Sequence, residues 1–166
     1  MTRFISYTTA AFLALNSTIL YSAKPEEARK IADYATKNGK HEVYTTLGHT
    51  IDSRSVDFTI REDDKDTLSK LEIRASRALI DGREVLILTG NIHNPSTANY
   101  IRIQLDDGGL EKPLPLNGIV DTIEVAYSQD GKEFEQVAVP DDIEKNKQNI
   151  FDIYVGKLLR RINSKK

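Results

Sequence analysis

The chain has 166 residues and a net charge of −2; 39% of its residues are hydrophobic, 29% are charged, and none is cysteine. That is enough apolar material for one ordinary core, and too much for a disordered chain. The lack of cysteine excludes disulfides, thiolate metal sites and a catalytic thiol, and the evenly mixed charges leave nucleic acid unindicated as a partner.

Residues 1–23 stand apart. Arg3 is their only charged residue, and an apolar run from Phe4 to Tyr21 leads to the small residues Ser22 and Ala23. Charge, apolar stretch and small-residue exit are the order of a secretory signal peptide, with cleavage near Ser22 or Ala23. Thr8, Thr9, Asn16, Ser17 and Thr18 dilute the apolar run, and Tyr21 sits where a small residue is preferred for cleavage after Ala23. An uncleaved anchor, an organelle presequence and a buried helix are the alternatives. The expectation is a signal peptide over 1–23 and one β-rich domain over 24–166, with no stable membrane span once the signal is removed.

Pro25–Asn38 reads as a helix. Pro25 suits the first helical position, Glu26 and Glu27 suit the positive end of the dipole, and Gly39 is a natural stop. Ala28, Ile31, Ala32 and Ala35 form a narrow stripe, suited to lying close on a sheet. Strands follow at short spacing. Glu42–Leu47 is brief. Val56, Phe58 and Ile60 alternate with polar residues, as do Leu71, Ile73 and Ala75. Asp81-Gly82 is a type I′ turn signal. Val85-Leu86-Ile87-Leu88, the one run of four large aliphatics, reads as a central strand covered on both faces. His93–Asn99 reads as a loop, and Ile101, Ile103 and Leu105 alternate again. Leu110–Asn117 is extended because of Pro113 and Pro115. Ile123–Tyr127 and Glu133–Val139 complete a set of seven candidate strands. From Asp142 to Asn163 a helix recurs, capped by Asp141 or Asp142, with a basic C-terminal end. Its apolar stripe has the width of ordinary docking on a sheet; an anionic membrane or a partner is the alternative.

The expected fold class is therefore α+β, a mainly antiparallel sandwich-like sheet of about seven strands with one N-terminal and one C-terminal flanking helix. The core is expected to contain Phe58, Ile60, Leu71, Ile73, Val85, Ile87, Leu88, Ile101, Ile103, Ile123, Val125 and Tyr127. Truncation of Ile87 to alanine is expected to cost about 2–5 kcal/mol.

Candidate chemistry is sparse. His93, where the central strand is expected to meet a loop, is the candidate catalytic residue. Asn91, His93, Asn94 and Tyr100 are the candidate binding residues. A loop residue making local hydrogen bonds is the plainer reading of His93. Asp63, Asp64 and Asp66, in the acidic stretch Glu62–Asp66, are candidate calcium ligands, although the stretch lacks the spacing of an EF-hand and a solvated turn is the plainer reading. No phosphate loop, dinucleotide glycine pattern, nucleophile elbow or zinc-protease motif occurs. The run from Ile123 to Phe134, Ile-Glu-Val-Ala-Tyr-Ser-Gln-Asp-Gly-Lys-Glu-Phe, resembles the strand–turn–strand near the end of discoidin-type galactose-binding sandwiches. That resemblance implies a sandwich and nothing about ligand.

These features lead to an expected class: an exported, non-enzymatic binding or assembly protein, periplasmic or secreted, with no cofactor. Its partner is expected to be a protein or an extracellular polymer. The alternative is a small exported hydrolase with a site near His93.

Overall fold

The computed structural model describes residues 23–64, 67–94, 99–109 and 116–164, and side chains within these ranges except at 61–69 and 94. Helix α1, Pro25–Asn38, precedes seven strands. These are β1 (Lys40–Thr46), β2 (His49–Asp64), β3 (Thr67–Ile80), β4 (Arg83–Asn94), β5 (Asn99–Asp107), β6 (Thr122–Ser128) and β7 (Glu135–Val137). Two helices close the chain: α2, Asp141–Lys145, and α3, Lys147–Asn163.

The class is α+β. All seven strands lie in one antiparallel sheet, in the order β1-β2-β3-β4-β5-β6-β7. No second sheet occurs among the described residues; the helices take the place a second sheet would have in a sandwich. Each strand turns back on its predecessor, so every pairing is between chain neighbours. Two turns set the register of the N-terminal half. Leu47-Gly48 and Asp81-Gly82 both have positive φ, at 50° and 82° and at 49° and 82°. Paired positive φ values give the type I′ twist that matches flanking strands.

Side-chain alternation then assigns the faces. Phe58 pairs with Ile73, Ile73 with Gly90, Gly90 with Ile103, and Ile103 with Val125. This row and its even-numbered offsets belong to the main core, together with Ala28, Ile31 and Ala32 of α1 and Ile150, Phe151, Tyr154, Val155 and Leu158 of α3. The narrow Ala/Ile stripe of α1 is fully buried, as small residues permit when a helix approaches a sheet closely. Gly39 ends that helix in an extended conformation, and it is glycine for want of room. A Cβ there would lie 2.4 Å from the Ala35 carbonyl oxygen.

Several expectations change. Ile87 points to the other face and is only half-buried, at the margin of a small second cluster of Ile51, Ala78, Ile80 and Val85. So β4 is the middle strand, but it is not covered on both faces along its length. Ile60 and Ile101 pack at the margin of the main core, and Tyr127 is half-buried. Leu86 and Leu105 are fully buried instead. His93 lies inside β4, not in a loop, because the pairing with β5 runs on to Asn94 and Asn99. Neither Asp141 nor Asp142 caps the last helix. Pro140 holds the cap position, and the helix breaks at Asn146 into α2 and α3. The C-terminal helix docks on its own sheet.

Candidate functional site

The face of the sheet turned away from the helices is open. A trough of about 520 Å³ runs across β1 to β5, lined by polar side chains that include Glu42, Ser55, Asp57, Arg74, Thr89, Asn91, Arg102 and Gln104. Strand alternation explains the composition. The odd residues of β2 and β4 and the even residues of β3 and β5 share this face; they are mostly the polar halves of the sequence alternation, with the small apolar cluster of Ile51, Ala78, Ile80 and Val85 toward the β3–β4 turn.

Two guanidinium groups mark the trough. Arg74 forms a bidentate pair with Asp57, Nε to Oδ1 at 2.7 Å and Nη2 to Oδ2 at 3.1 Å. Its hydrogen bond to Asp57 raises its pKa above the ordinary value. Arg102 is held differently. Its Nε donates to Asn91 Oδ1 at 2.9 Å, and its guanidinium carbon sits 3.7 Å from the centre of the Phe134 ring. Among the described residues no carboxylate lies within ion-pair distance of it. Burial, and then the like charge of Arg74, press its pKa down. Asn91 fixes the plane of the guanidinium and Phe134 supports one side, so its remaining N–H groups form a preset fork for an anion.

Three of the expected binding residues converge here. Asn91, His93 and Tyr100 share the open face with Arg102, because His93 pairs with Tyr100 and Asn91 with Arg102 across β4 and β5. The His93 and Tyr100 rings are 4.6 Å apart at a 45° tilt. The Nδ1 atom of His93 is buried with no hydrogen-bond partner. Asn94 lies at the end of β4, and its side chain is outside the described residues. Asp63 and Asp64 fall in β2, where side chains are likewise outside the described residues, as is Asp66 altogether. Arg102 is the residue that sequence reasoning missed. Its significance depends on Asn91 lying opposite it, which is a matter of strand register.

The other two histidines meet carboxylates at the sheet surface. His41 Nε2 lies 2.9 Å from Asp52 Oδ1, and His49 Nδ1 lies 2.7 Å from Asp81 Oδ2. The hydrogen bonds from His49 and from the Thr50 backbone hold the Asp81 carboxyl below its usual range. Among the described residues no group of three His, Asp or Glu side chains is placed to hold a metal ion, and no helix is long and apolar enough to cross a membrane.

Comparison with protein-family models, with curated proteins and with solved structures yields no match to this chain.

Proposed function

We propose that this chain is an exported, non-enzymatic binding module whose open sheet face holds an acidic extracellular polymer. The observation that carries the reading is Arg102: a half-buried guanidinium, oriented by Asn91 and Phe134, that faces the polar trough and has no carboxylate within ion-pair distance among the described residues. A sheet sealed by helices on one face and polar on the other is a rigid platform for such recognition. The order of Arg3, apolar run and Ser22-Ala23 supports export. The hydrolase alternative would need a group to orient His93. Its buried Nδ1 has no partner, and among the described residues no carboxylate pairs with its ring.

The test is retention on immobilised polygalacturonate against neutral dextran, for the native protein and for Arg102→Gln. The native protein should be retained by the acidic polymer and released by salt. Arg102→Gln should weaken binding about tenfold or more, corresponding to ~1.4 kcal/mol, without lowering the melting temperature. Equal retention of both proteins, or indifference to the acidic polymer, overturns the reading.

A further inference from the structure

The first described residue meets a buried acid. The backbone N–H of Ala23 donates to the carboxylate of Asp152, on α3. Asp152 is only 6% exposed, and Ala23 packs against the main core. Gln148 Nε2 donates to Asp152 Oδ1 at 3.0 Å. The same Gln148 holds the strand-to-strand connection, donating to the Gly118 carbonyl at 2.9 Å and accepting from the Val120 N–H at 3.0 Å. Among the described residues no cationic side chain pairs with Asp152. The charge that faces it is Glu27, which has the same sign. A buried carboxylate with two neutral donors and a like-charged neighbour is short of a cation.

We propose that the signal segment is removed at the Ser22–Ala23 bond, and that the α-ammonium of Ala23 so created seats on Asp152 as the cation this acid lacks. This rests on the export reading. Water adds across the amide: its hydroxyl bonds to the Ser22 carbonyl carbon, the C–N bond breaks, and the proton goes to the Ala23 nitrogen. At neutral pH the products are a Ser22 carboxylate and an Ala23 ammonium. The donor already directed at Asp152 thus gains a full positive charge without moving. Cleavage one bond later would make Lys24 the terminus. The Lys24 nitrogen already donates to Glu27 Oε2 at 2.9 Å, at the N-cap of α1. Asp152 would then lose its Ala23 donor. Burial holds the Asp152 carboxyl above its usual range as the chain stands, and a neighbouring ammonium would reverse that.

The protein is purified from a host that exports it, and its N-terminus is sequenced. The α-amine is then titrated by NMR in the native protein and in Asp152→Asn. The proposal expects Ala23 as the first residue, and an amine pKa about one pH unit or more above the ordinary ~7.7–8.0, returning to that range in Asp152→Asn. An intact Met1 terminus overturns both this proposal and the export reading. A terminus at Lys24 or elsewhere near it, or an Ala23 amine that titrates normally in both proteins, overturns this proposal and leaves export standing.

Discussion

The ring of Tyr154, on α3, occupies the space above Gly90 in the middle strand that a side chain at that position would need. A Cβ built on Gly90 would lie 2.1 Å from Tyr154 Oη and 2.5 Å from Cζ. Tyr154 is fully buried, and its hydroxyl has no hydrogen-bond partner. Burial alone drives its pKa above the ordinary value of 10.0. The glycine is what lets the helix seat its largest side chain directly on the sheet backbone. Gly90→Ala should therefore destabilise the protein by about 1–3 kcal/mol, through overpacking. Tyr154→Phe keeps the ring and removes an unpaired buried hydroxyl, so it should be neutral or stabilising. Thermal melts of the two variants check both. A Tyr154→Phe protein that melts well below the native one would show that the hydroxyl has a partner in solution.

Adjacent residues on β4 separate the two faces. Leu88 is fully buried in the main core, between Ala75 and Leu105. Ile87 faces the trough and is half-buried. Leu88→Ala should cost about 2–5 kcal/mol, whereas Ile87→Ala should cost about 1 kcal/mol, because less apolar area leaves water and the open face leaves little cavity. Urea denaturation of both variants measures the difference. Equal costs would mean that the open face is covered in solution.

Much of this arrangement was legible in the sequence, and what was not has a common cause. Pro25, the acidic first turn and the Ala/Ile stripe define α1 because each acts within a few residues along the chain. The same holds for strand alternation and for Asp81-Gly82. Leu47-Gly48 was missed because leucine seldom adopts a positive φ, so the turn that defines β1 looked like strand. The pairing of Asn91 with Arg102 depends on the full length of β4 and β5. Reading His93–Asn99 as a loop hid it. With the strands extended to Asn94 and Asn99, counting back three residues on each side places Asn91 opposite Arg102. Alternation alone could not say whether a second sheet or helices would cover the apolar face, since both are covered by the same residue types.

Glu84 links the first helix to the hairpin. Arg77 Nε donates to its Oε1 at 3.0 Å, and Arg29 of α1 pairs with its Oε2. Burial opposes ionisation of Glu84, but the two arginines outweigh it, and its carboxyl titrates below the ordinary range. The contribution is present at neutral pH and is lost as the solution is acidified through that lowered value. The Arg29 side chain is 43% exposed, so solvent screens its share. Glu84→Gln should cost about 1 kcal/mol at low ionic strength and less at high salt. Chemical denaturation at two salt concentrations reads this out; a cost that does not fall with salt would point to packing rather than charge.

Asp106 acts in the opposite sense. Its side chain is buried, and Oδ1 accepts the Gly109 N–H at 3.0 Å. Burial raises its pKa from 3.8 to about 6, and the nearby charges of Asp107, Asp121 and Glu124 add to the rise against the one hydrogen bond. The folded protein therefore holds a proton that the unfolded chain releases between those two values. Stability should fall as pH rises through this window, and the penalty is complete above about pH 6. At about 1.36 kcal/mol per pH unit, the interval is worth about 3 kcal/mol at most. Asp107 is also raised by burial and adds to the same trend. Asp106→Asn keeps an oxygen to accept from Gly109 and carries no charge at any pH. The variant should match the native protein near pH 4 and exceed it at pH 7, by as much as ~3 kcal/mol. Urea midpoints at pH 4, 5, 6 and 7 provide the comparison. Parallel pH profiles for the two proteins would mean that Asp106 is hydrated and ionised throughout, contrary to the burial described.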